Sequence, residues 1–161
     1  MEVKPGLKIR AAQLEDSNKI SELIIGLTKK FIAHDCSAAG RDHLLKSMSS
    51  DAIRDRMQTA YVYHVAEAGQ DLVAVIAVKE NRHLYHLFVA ERYQRQGVAK
   101  KLWEHAMHTC LDLGNTGEFT VSSSLYAKPV YERLGFVTQS GPREKMGVVY
   151  IPMKLTIEHH D

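Results

Sequence analysis

Gln94-Arg95-Gln96-Gly97-Val98-Ala99 decides how this 161-residue chain is read, because it joins two stretches of opposite periodicity. Before it runs His83 to Val89 (HLYHLFV), rich in the β-branched and aromatic residues that favour extended backbone. After it, Val98, Leu102, Trp103, Ala106, Met107, Cys110 and Leu111 recur at helical spacing, with Lys100, Lys101, Glu104, His105, His108 and Asp112 on the other face and Gly114 as the stop. The first amides of a helix have no internal partner and sit at the positive end of its dipole, so an anion placed there gains hydrogen bonds and field together. A diphosphate fits such a corner. Gly97 lets backbone approach an oxygen without a Cβ in between, and the small Ala99 lets the helix start press on its strand. A lone glycine is equally an ordinary turn residue. Three-glycine dinucleotide loops and Gly-Lys-Ser/Thr phosphate loops are both absent.

Outward from this corner the pattern alternates between helix and strand. Leu7 to Ala11 opens as a short extended segment, and Ile20, Leu23, Ile24, Leu27 and Phe31 trace a helix with Asp16 placed to cap it. His34 to Ser47 has weak periodicity, and a second helix is expected from Ser49 or Ser50, carrying Ile53 and Met57 inward. Tyr61 to Glu67 and Leu72 to Lys79 flank Gly69-Gln70-Asp71 as a hairpin. Downstream come a strand at Phe119 to Val121, a short helix from Tyr126 to Leu134, and strands at Phe136 to Thr138 and Val148 to Leu155. This order predicts an α/β fold, in the α+β sense of a central mixed sheet of six to seven strands flanked by helices. No repeat or low-complexity linker interrupts it, so residues 1–161 are expected to form one domain.

The totals narrow the function classes. Lys and Arg number 21 against 19 Asp and Glu, a formal +2, which provides no footprint for nucleic acid. No run approaches the about 20 apolar residues of a membrane span, and the start, MEVKPGLKIRAAQ, lacks a secretion-type apolar run, so a cytoplasmic location is expected. Cys36 and Cys110 lack metal-ligand spacing, which suits reduced thiols, and no metal is expected. His34-Asp35-Cys36 reads as a loop, and His159-His160-Asp161 as a polar tail.

The strand ending LFV followed by Gln94-x-x-Gly97-x-Ala99 resembles the R/Q-x-x-G-x-G/A motif of the GNAT superfamily of N-acetyltransferases. Val121 to Phe136 (VSSSLYAKPVYERLGF) is similar to that superfamily's second block, with Ala127, Tyr131, Gly135 and Phe136 at its spacing. The resemblance covers Lys8 to Leu155 and implies the GNAT fold with acetyl-CoA as co-substrate. Backbone groups of Phe88, Val89 and Ala90 would then hold the pantetheine arm, and Arg95, Gln96, Gly97, Val98, Ala99 and Lys100 would form the pyrophosphate loop. Ser122 stands where many relatives carry Asn, so its contact with coenzyme A is an open point. Tyr131 falls at the general-acid position.

Aminolysis of a thioester needs a neutral amine and a proton for the leaving sulfur. A phenol of ordinary pKa about 10 is protonated at neutral pH and suits Tyr131 to the second task. Candidates for the base are Glu80, His83 and His86, or ordered water; strict alternation along HLYHLFV puts His83 and Tyr85 on one face and Leu84 and His86 on the other. The expected activity is acetyl transfer from acetyl-CoA to a primary amine of a small molecule or peptide, by direct attack in a ternary complex. The alternative is a non-catalytic acyl-CoA sensor. Acceptor-site walls are expected from the first two helices, Ala33 to Ser50 and Gln139 to Gly147. Many relatives pair, so a homodimer is compatible with the sequence, and neither nucleic acid nor membrane is expected as a partner.

Overall fold

The computed structural model describes residues 6–157, so the His159-His160-Asp161 tail lies outside the described residues. Strands β1 (Leu7–Ala11), β2 (Tyr61–Ala68), β3 (Asp71–Lys79) and β4 (His83–Val89) form an antiparallel run. β5 (Glu118–Ser123) pairs parallel to β4 and antiparallel to β8 (Val148–Thr156). β6 (Val137–Thr138) and β7 (Arg143–Lys145) both pair with β8, completing an eight-stranded mixed sheet. The expected architecture is present, with β6 at the strand expected from Phe136 to Thr138; the count exceeds six to seven because β7 is an exposed piece of 3 residues, too short to carry a period.

Helices cover both faces. α1 (Ser17–Phe31) and α3 (Ser50–Met57) bury Ile20, Ile24 and Ile53 against Tyr63, Val65, Val75 and Ala77. On the opposite face α4 (Val98–Asp112) buries Val98, Leu102 and Trp103 against Ile76, Leu84 and Phe119, and α5 (Lys128–Leu134) adds Tyr131. Trp103 meets Phe119 edge-on with ring centroids 5.0 Å apart.

Two local expectations change. Asp16 does not cap α1; its carboxylate takes two Arg10 guanidinium bonds at 2.8 Å and the Gln13 amide at 2.7 Å, and a 3-10 turn at Leu14–Asp16 leads into the helix. The weakly periodic segment contains α2 (Ala38–Lys46), whose Ser37 Oγ accepts the Gly40 amide at 3.0 Å. Gly40 is the buried residue of α2, so that helix docks through backbone and shows no apolar stripe in its sequence.

Candidate active site

β4 and β5 pair only at His83–Thr120 and Leu84–Val121, and beyond that point the strands part. The gap is the middle of a cavity of about 1150 Å³, reaching from the start of α4 to α2 and the β7–β8 turn. A register shift in β4 shapes one wall. His86 pairs with Ala77 and Leu84 with Val78, which leaves Tyr85 unopposed as a β-bulge. The extra residue resets the alternation, so His83, Tyr85 and His86 all line the cavity while Leu84 turns to the α4-side core. Strict alternation, which separated His83 from His86, does not hold here.

The backbone of β4 sorts by the same ladder. Ala90 donates its N–H to the Val73 carbonyl at 2.8 Å, and in an antiparallel pair every second residue faces the same partner, so Phe88 also faces β3. Leu87 and Val89 therefore turn their N–H and C=O groups to the gap, where Gln94 Nε2 reaches the Val89 carbonyl at 3.0 Å. Of the expected set Phe88, Val89 and Ala90, only Val89 offers backbone to the cavity. Leu87 joins it, a residue that sequence reasoning missed because alternation alone does not reveal which edge of β4 is taken.

At the end of β4 the chain makes a 3-10 turn, Glu91–Tyr93, then passes through left-handed conformations at Arg95 (φ 61°) and Gly97 (φ 82°) into α4. Lys101 donates to the Gly97 carbonyl at 3.1 Å, the first bond of the helix. Among the described residues nothing accepts a hydrogen bond from the amides of residues 95–100, and no side chain caps α4. Arg95, Gly97, Val98, Ala99 and Lys100 line the cavity, whereas the Gln96 side chain turns back to the Arg92 carbonyl at 2.9 Å. This row of donors sits at the positive end of a 15-residue helix, where an anion gains hydrogen bonds and field together.

Tyr131 stands on α5 behind the loop, packed edge-on against Phe136 with ring centroids 5.8 Å apart. It is 6% exposed and lines the cavity, its hydroxyl makes no hydrogen bond to a described residue, and burial pushes its pKa well above the ordinary phenol value. His83 Nδ1 lies 2.7 Å from Thr120 Oγ1, which fixes the ring, and burial with the nearby Lys79 and Arg82 lowers its pKa. His86 is buried; burial, and then Arg56, push its pKa down to about 3. Its Nε2, the Tyr63 hydroxyl and Arg56 Nη1 are buried atoms without hydrogen-bond partners. Ser122 lines the cavity from β5. Glu80 does not join the site: it sits in the β3–β4 turn (φ 53°) beside a separate cavity of about 250 Å³ shared with His64, Asn81 and Cys110.

A family model described as an acetyltransferase (GNAT) domain matches residues 32–157, an interval that contains the splayed strands, the anion loop and Tyr131. The chain belongs to the GNAT acetyltransferase family. Solved structures share the fold of this GNAT domain at low identity. A GCN5-related N-acetyltransferase from Rhodopseudomonas palustris superposes with a TM-score of 0.82 at 16% identity, covering 98% of this chain and 99% of that one. PaiA N-acetyltransferase from Thermoplasma acidophilum, solved in complex with coenzyme A, gives 0.77 at 17% identity over 94% and 99%. The protein yncA from Salmonella typhimurium, solved with acetyl-CoA, gives 0.66 at 17% identity over 96% of each chain. No curated protein sequence matches the chain. Among the described residues of this GNAT domain, no group of three or more His, Cys, Asp or Glu side chains is arranged to hold a metal, and no helix is long and apolar enough to cross a membrane.

Proposed function

We propose that the chain, as one catalytic unit over residues 1–161, transfers the acetyl group of acetyl-CoA to a primary amine by direct attack in a ternary complex. The observation that carries this is the row of unpartnered amides from residue 95 to residue 100, opening onto the cavity that Tyr131 lines. These amides, with Arg95 and Lys100 beside them, hold the pyrophosphate. Leu87 and Val89 pair with the pantetheine amides as a short added strand, and a β4 amide polarises the thioester carbonyl.

The amine nitrogen forms the new C–N bond as the C–S bond breaks. His83, neutral and oriented by Thr120, takes the amine proton directly or through a water and returns it to solvent. Tyr131, kept as phenol by burial, donates to the departing sulfur and regains a proton from solvent.

The test is thiol release from acetyl-CoA across a panel of primary amines, with thermal shift by coenzyme A as the binding control. Tyr131→Phe is expected to lower kcat by about 10²–10⁴-fold while the coenzyme A shift persists. Tight coenzyme A binding with no thiol release from any amine would instead mark an acyl-CoA sensor.

A further inference from the structure

Two features of the cavity's acceptor end restrict what enters it. The first is a roof. Ser37 donates its amide to the Gly147 carbonyl at 3.0 Å, and α2 and the β7–β8 turn touch through two glycines. A Cβ on Gly40 would overlap the Gly147 carbonyl, and one on Gly147 would overlap Ser37 Oγ. Met146 (φ 53°) and Gly147 (φ 79°) form the two-residue turn that makes this approach, between the paired Lys145 and Val148. His43 and Leu44 of α2, Ser47 just after it, and Met146 and Tyr150 of the hairpin line the cavity, so this contact ties two of its walls together as a roof.

The second feature is charge. Among the described residues, no Asp or Glu lines the cavity; its charged lining is Arg95, Lys100, Arg133 and Lys145. The first two belong to the pyrophosphate loop, which leaves Arg133 on α5 and Lys145 on the hairpin, the latter next to the roof. Tyr85, His86 and Tyr150 make the rest of that end aromatic, and His86 is held neutral. A second ammonium would meet no anion and only charges of its own sign.

From these we infer that the acceptor is a compact monoamine whose remainder is neutral or aromatic, and not a polyamine or a lysine side chain within a peptide. The inference rests on the N-acetyltransferase reading above and narrows its substrate class. In the transfer the nitrogen loses one proton and gains the acetyl carbon, and the sulfur leaves as the thiol.

The experiment measures kcat/KM for thiol release with 2-phenylethylamine, spermidine and a lysine-bearing heptapeptide, on wild type and on Gly40→Ala and Lys145→Glu. Wild type is expected to prefer the monoamine by about tenfold or more. Gly40→Ala, which must lift α2 from the hairpin, is expected to raise peptide turnover relative to the monoamine. Lys145→Glu is expected to raise that of spermidine, and because Lys145 is exposed it keeps the test alive if Gly40→Ala fails to fold. Equal or better use of spermidine or the peptide by wild type overturns this inference alone. Coenzyme A binding without thiol release from any of the three overturns the acetyltransferase reading and this inference with it.

Discussion

Acid should unfold this protein in a pH range set by two histidines rather than by its carboxylates. His86 is pushed down to about 3 and His64 to about 4, in both cases chiefly by burial, with Arg56 adding to the first and His105 to the second. In the unfolded chain both titrate near the ordinary 6.5. Between 6.5 and the lowered values the unfolded state binds more protons, so stability falls as pH falls through that window and is unaffected above it. At pH 4.5 each histidine lies about two units below its unfolded pKa, at about 1.36 kcal/mol per unit. The two together therefore remove at most about 5 kcal/mol, and about 2–3 kcal/mol if local opening relieves half, out of a typical 5–15 kcal/mol. Asp16 titrates lower: its Arg10 bonds hold its carboxyl below the ordinary carboxylate range, so its contribution is lost only as pH falls beneath about 4. Urea unfolding followed by far-UV circular dichroism at pH 7.5, 6.5, 5.5 and 4.5 reads the effect directly. His86→Phe keeps an aromatic ring in the site and removes one titration, so its slope between pH 6.5 and 4.5 should be about half that of wild type. A wild-type stability that is flat over this interval, or an unchanged slope in the variant, would refute the reasoning.

Gly97→Val places a β-branched residue at φ 82° and should abolish the coenzyme A thermal shift while leaving the far-UV spectrum intact. His83→Gln should lower kcat and remove the acid limb of its pH profile, which in wild type lies below 6.5 because the His83 pKa is depressed. Thr120→Val, which removes the partner of His83 Nδ1, should lower kcat more than it changes KM. Arg95→Asn relieves a left-handed arginine at φ 61°, so the free protein should gain up to about 1 kcal/mol, seen as a melting rise of about 2–4 °C. The same variant should show a smaller coenzyme A shift, and a lower melting point for the free protein would show that the loop stores no strain there.

What the sequence disclosed was whatever is written in local spacing. Val98 to Leu111 reads as α4 because its buried face repeats at helical steps, and Gly97 reads as the junction before α4 because it lacks a Cβ; its φ of 82° fits that place. Tyr131 was legible from its distance to Gly135-Phe136, and the segments Ala33 to Ser50 and Gln139 to Gly147 contain α2 and the β7–β8 turn, which line the cavity. The missed features depend on a partner distant in sequence. The β4 bulge arises from its register with Ala77 and Val78, and no pattern within HLYHLFV marks it. α2 is recognisable only once Gly40 is seen against Gly147. Glu80 was a candidate base because it lies near strand β4 in sequence, but the β3–β4 turn carries it to the other cavity.

The missed bulge and the legible loop serve one arrangement. Parting β4 from β5 after Leu84 leaves the backbone of Leu87 and Val89 without a strand partner, and beginning α4 without a side-chain cap leaves a second row of amides open. Groups of this kind cost free energy when buried unpaired, so they persist only where water or a ligand reaches them. The cavity supplies that access to both rows at once. A ligand with amide groups at one end and a diphosphate at the other satisfies the two rows together, whereas a nucleotide alone satisfies one. The bulge then brings His83, Tyr85 and His86 onto the cavity wall beside the first row, so the irregular ladder that borders the gap also directs side chains into it.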